Sequence, residues 1–95
     1  MFLPNLHKTV QFDYDPVKSQ INQSKHGIDF EKAKMLWKDS YRVEITAKST
    51  DEDRFMIIGK IDAKHWSAIV TYRESVVRII SVRRSRNNEV KLYEN

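Results

Sequence analysis

A chain of 95 residues with 40% hydrophobic residues, two glycines and two prolines has room for one modest core and is too rich in Ile, Val, Phe and Trp for a disordered tail. It contains no cysteine, which removes a disulfide frame, a thiolate zinc site and a cysteine nucleophile, and no apolar run long enough to span a bilayer. The formal charge of +4 is concentrated: between 73 and 86, Arg73, Arg78, Arg83, Arg84 and Arg86 stand against Glu74 alone, while the rest of the chain nearly cancels.

A basic segment on an otherwise balanced surface is the footprint of a protein that meets a polyanion, or an acidic protein partner. The opening "MFLPNLHKTV" lacks the basic start and apolar stretch of a signal peptide, so a soluble, cytoplasmic protein is expected. Residues 1–9 read as an N-terminal extension to a single domain over 10–95. In "VQFDY", Val10, Phe12 and Tyr14 alternate with Gln11 and Asp13, which predicts a short half-buried strand.

"DPVKSQINQSKHG" carries helix punctuation at both ends: Asp15 as cap, Pro16 at the first helical position, Gly27 at a left-handed exit. Val17, Ile21 and Ser24 or Ile28 fall on one side, expected to be the packed one. Lys18, Asn22, Lys25 and His26 form a polar stripe. A second helix is expected from "DFEKAKMLWKD", capped by Asp29 and packed through Phe30, Ala33, Leu36 and Trp37.

The pattern then changes period. Segments 41–47, 54–62, 65–73 and 76–84 are rich in Val, Ile, Thr and aromatics and are separated by short polar turns, predicting four consecutive antiparallel strands. "NNEVKLYEN" reads as a short terminal helix capped by Asn87 or Asn88. The order predicts an α+β domain: an N-terminal strand and two helices packed on one face of a four-stranded antiparallel sheet, with a short C-terminal helix and the other face accessible.

Strict alternation over "VVRIISVRR" puts Val77, Ile79, Ser81 and Arg83 on one side and Val76, Arg78, Ile80, Val82 and Arg84 on the other. Arg78, among aliphatic side chains, needs a carboxylate such as Glu44, Asp13 or Glu89. Arg83 lies at the strand exit, where its guanidinium can grip a phosphate bidentately.

Three stretches resemble the BrnT toxins of bacterial toxin-antitoxin pairs. The first is Tyr14-Asp15, Lys18, Asn22, Lys25-His26-Gly27, Phe30 and Ala33; the second is Arg54 with Ile58-Gly59; the third is Arg78-Ile79-Ile80-Ser81, Arg83-Arg84, Glu89 and Tyr93. The resemblance covers about residues 12–93 and implies a RelE-like fold and an endoribonuclease that halts translation and growth. It also implies neutralisation by a cognate BrnA-like antitoxin, in a 2:2 assembly that meets operator DNA only through the antitoxin. The competing classes are a nucleic-acid-binding module without catalysis and a protein-interaction domain whose arginine-rich edge docks an acidic helix.

RNA carries its own nucleophile, the 2′-hydroxyl, so cleavage needs only a base, an acid and cations for the phosphorane. His26 is the histidine inside a matched motif and suits base or acid work, although beside Gly27 it could equally close the helix. Lys25 beside it can stabilise charge or move a proton. Arg54 and Arg83 are the expected phosphate contacts and Glu52 a possible base. Arg84, Arg86 and Lys18 would add electrostatic attraction, and Tyr93 would stack on a base or pack its helix. No cluster has metal-ligand spacing, so neither metal nor other cofactor is expected.

Overall fold

The computed structural model describes residues 10–95; the predicted N-terminal extension, residues 1–9, lies outside them. The chain runs β1 (Gln11–Asp13), α1 (Pro16–His26), α2 (Phe30–Ala33) with a 3-10 continuation (Lys34–Lys38), β2 (Val43–Ala47), β3 (Arg54–Ile61), β4 (Lys64–Arg73), β5 (Val76–Arg84) and α3 (Asn87–Glu94). Helix punctuation falls where the sequence places it. The Asp15 carboxylate accepts from Val17 N at 2.9 Å and Lys18 N at 3.4 Å, Asp29 accepts from Lys32 N at 2.8 Å, and Gly27 turns out of α1 at φ 77°. The cap of α3 is Arg86 rather than Asn87 or Asn88, because Glu89 at the third helical position reaches back to the Arg86 N–H at 2.9 Å.

Among the described residues the sheet has five strands, in the order β1-β5-β4-β3-β2. The expected four-stranded antiparallel sheet is therefore corrected to a mixed one: β1 joins it, pairing in parallel with β5 through Gln11–Val76, Phe12–Val77 and Asp13–Arg78. Among the carboxylates proposed for Arg78, the one it meets is Asp13, the residue beside it in this pairing. Short-range pattern marks a strand but carries no information about a partner sixty-odd residues away.

Helix α1 packs the other way round from its apolar pattern. Val17 and Ile21 are 63% and 51% exposed, while Ser19 and Asn22 are buried. The reason is the edge of β5. Beyond the three residues covered by β1, its backbone groups need partners. Asn22 Nδ2 donates to the Val82 carbonyl at 2.9 Å and to the Ile28 carbonyl at 2.7 Å, and Oδ1 accepts from Val82 N at 3.2 Å. Ser19 Oγ accepts from Phe30 N at 2.8 Å. Valine and isoleucine could satisfy none of these groups.

A β-bulge changes the facing of β5. Ile69 pairs with Ser81 and Val70 with Ile79, so Ile80 has no partner on β4. Val82 consequently joins Val77 and Ile79 in the core beneath α1 and α2, with Ile28, Phe30, Leu36, Ile57 and Trp66. Strict alternation, which put Val82 on the side away from Val77 and Ile79, is overturned by that one extra residue. Gly59 lets the 3-10 segment approach: a Cβ there would stand 3.1 Å from Leu36 Cδ2 and 3.2 Å from Asp39 Oδ2. On the opposite face α3 covers one end of the sheet, over Ser67 and Arg83.

Candidate functional site

The Asn22 amide ties the end of α1 to Val82, and Lys25 and His26 follow one turn later, both exposed. Two residues beyond Val82 on the same face of β5, Arg84 lies with its guanidinium carbon 5.5 Å from the Trp66 ring centroid, the two being a cross-strand pair. A cleft of about 150 Å³ opens here, lined by Gly27, Ile28, Lys32, Ile61, Asp62, Lys64 and Trp66. One end of the helical face therefore collects Lys25, His26, Lys32, Lys64 and Arg84. The acid lining this cleft, Asp62, accepts from Lys32 Nζ at 3.2 Å.

Arg83 points to the other face. Its guanidinium donates to both carboxylate oxygens of Glu89, each at 2.8 Å, and Glu89 also accepts from Ser67 Oγ at 2.8 Å and Arg86 N at 2.9 Å. The Glu89 side chain is 6% exposed. The Arg83 guanidinium holds its carboxyl down at about 2, and in return raises its own already high value. Arg83 thus clamps α3 to the sheet. It does not meet Lys25 or His26, which lie on the opposite side of β5.

Tyr93, on the last turn of α3, packs edge-on against His65 with ring centroids 5.1 Å apart and donates its hydroxyl to Asp39 Oδ2 at 2.7 Å. Burial and the neighbouring Asp39 carboxylate push that phenol up to about 12. Asp39 Oδ2 also accepts from Lys60 N at 2.8 Å, so one carboxylate serves the edge of β3 and the end of α3 together.

Arg54 shares a face with Arg83 but lies at the far end, roughly 13 Å along the strand direction at 3.3 Å per residue. There Glu52 bridges two arginines, Arg54 at 3.9 Å and Arg73 at 3.8 Å. Arg54 Nε is buried without a hydrogen-bond partner among the described residues. Beside it the β2–β3 loop encloses an open cleft of about 730 Å³ lined by Ala47, Lys48, Ser49, Thr50, Asp51 and Arg54. Lys18 is exposed near the start of α1, roughly 10 Å from Lys25 along the helix at 1.5 Å per residue.

The fold therefore brings Lys25, His26 and Arg84 to one corner, Glu52 and Arg54 to another, and Arg83, Arg86 and Tyr93 to α3. Sequence reasoning missed Trp66 and Lys64, and counted Arg73 in the basic segment without giving it a place in a site. Counting back from the tight β4–β5 turn would find Trp66 opposite Arg84 only if the bulge were known.

A family model described as the ribonuclease toxin BrnT of type II toxin-antitoxin systems matches residues 14–89 of the 95. The chain belongs to the BrnT family. The match takes in every corner just described except Val90 onward, which leaves out Tyr93, so the BrnT pattern spans Lys25-His26, Arg54, Arg83-Arg84 and the Glu89 that holds Arg83. As BrnT the chain is a ribonuclease toxin of a toxin-antitoxin pair, with RNA as its target and a protein antitoxin as its partner. A search of curated proteins returns no match. Among the described residues no helix is long and apolar enough to cross a membrane.

Proposed function

We propose that this BrnT chain cleaves RNA without a metal, at the corner where α1 ends. His26 and Lys25 are the proton-transfer and charge-stabilising groups there, and Arg84 is the cation nearest the strand exit. One of the pair takes the proton from the 2′-hydroxyl, whose oxygen attacks phosphorus. The bond to the 5′-oxygen breaks and that oxygen is protonated, leaving a 2′,3′-cyclic phosphate and a 5′-hydroxyl end. The observations that support this reading are the Asn22 amide, which ties the end of α1 to Val82 two residues before Arg84, and the cleft that Gly27, next to His26, lines with Trp66, over which Arg84 lies.

Arg54 and Arg73 would hold a second backbone phosphate, with Glu52 orienting them or serving as base. Arg83 spends both terminal nitrogens on Glu89, so its part in this proposal is to anchor α3. Arg86 and Lys18 add attraction, and Tyr93 contributes packing. In the cell the toxin would act in the cytoplasm, arrest translation and growth, and be held in a 2:2 assembly with a BrnA-like antitoxin.

The test is incubation of the purified chain with RNA in EDTA. Cleavage giving cyclic-phosphate ends, reduced on the order of a hundredfold or more by His26→Ala or Lys25→Ala, is expected. Intact RNA that is nevertheless bound with salt sensitivity would replace catalysis with simple binding.

A further inference from the structure

We propose that the outer edge of β2 receives an extended segment of the antitoxin, a strand of alternating apolar residues with Asp or Glu at its ends. The proposal rests on the toxin-antitoxin reading of the chain.

Among the described residues β2 has β3 as its sole neighbour in the sheet, so one row of its backbone N–H and C=O groups has no strand among them. Its sequence, Val43-Glu44-Ile45-Thr46-Ala47, has neither the lysine nor the proline with which proteins usually blunt an open edge. The residues alternate between half-buried and exposed, and Val43, Ile45 and Ala47 lie on the face away from α1, beside Ile58, Met56 and Arg54. An added strand with apolar residues in the same phase would lengthen that half-covered row, as in other cases where a partner strand extends a sheet.

Charge identifies the occupant. The strand is bracketed by exposed Arg42 and Lys48. Arg42 spends two hydrogen bonds, each 3.2 Å, on the carbonyls of Trp37 and Asp39, which fix the guanidinium without neutralising it. A second copy of this chain pairing antiparallel about Ile45 would set Arg42 against the copy's Lys48 at both ends, a like-charge arrangement that destabilises strand pairing. Glu44 offers no relief, since its carboxylate already accepts from the Tyr72 hydroxyl at 2.7 Å on the helical face. A partner strand with carboxylates at its ends relieves both cations, in either strand direction.

The experiment co-expresses the chain with the protein encoded by the adjoining gene and follows amide hydrogen exchange. In the complex, exchange over Val43–Ala47 should slow at least tenfold relative to the isolated chain. The double variant Arg42→Glu with Lys48→Glu should weaken the complex at least tenfold, with the cleavage rate of the isolated variant at saturating RNA unchanged; Lys48→Glu alone, at an exposed position, should give part of the loss. A stable complex with unchanged exchange in β2 overturns the edge assignment and leaves the toxin-antitoxin reading standing. A self-associated chain protected in β2 assigns the edge to a second copy and overturns it as well. No complex at all removes both.

Discussion

Glu89 must be an anion for α3 to stay where it is, because its two oxygens take hydrogen bonds from Arg83, Ser67 and the Arg86 N–H together. Its carboxyl is depressed to about 2 from an ordinary 4.5, so the stabilisation is fully present above about pH 4.5 and is lost as pH falls towards 2. At about 1.4 kcal/mol per pH unit this amounts to roughly 3 kcal/mol. Urea denaturation at pH 6 and pH 3 should show about 2 kcal/mol of this loss in the parent, and Glu89→Gln should remove that part of the difference. Asn22 makes a comparable case. Asn22→Ala strands the Val82 N–H and leaves the Val82 and Ile28 carbonyls short of a donor, a cost on the order of 2–3 kcal/mol measurable by the same titration. Neither role was legible locally. Asn22 sits at helical spacing with Lys18, Lys25 and His26 and looks like any solvated residue, and Arg83 looks like a free guanidinium until α3 folds back over it.

At the scale of elements, the local rules were strong and the pairing rules weak. Asp15, Pro16, Gly27 and Asp29 announced their helix ends because capping depends on neighbours two or three residues away. All five strands were readable from composition, but segment 54–62 took in Asp62, which belongs to the two-residue β3–β4 turn. What failed was orientation. The facing of α1 was decided by the unpaired edge of β5, and the facing of Val82 by the bulge, both properties of residues distant in sequence. The β3–β4 turn gives the prediction at this scale. Asp62 and Ala63 have φ of 51° and 70°, the region of a primed hairpin turn, which favours glycine at its second position. Ala63→Gly should raise stability by about 1 kcal/mol, read as a higher melting temperature, with RNA cleavage unchanged.

Across the whole molecule, charge is divided between two places on opposite faces and at opposite ends of the sheet: the α1 corner with Arg84, and the Arg54–Arg73 pair beside Glu52. If RNA spans both, Arg54→Ala with Arg73→Ala should weaken binding and flatten its dependence on salt by roughly two phosphate contacts, with little change in the rate once RNA is saturating. A substitution at Lys25 or His26 should do the reverse, lowering the rate at saturation. Filter binding across a salt series, paired with single-turnover cleavage, separates the two. The net charge pointed to a polyanion from the outset, but its division could not be read, since Arg54 and Arg83 reach opposite ends of the sheet only after β3 and β5 are paired through β4.

The bulge in β5 also governs how this strand can change length in descent. Ile80 is the residue without a partner, so a chain lacking it can return to plain alternation with Val82 still inward, Arg83 still on Glu89 and Arg84 still over Trp66. Relatives that are one residue shorter at this point would therefore share the architecture, and matching their arginines by counting from the preceding turn would swap the residue that anchors α3 for the one that lies over Trp66.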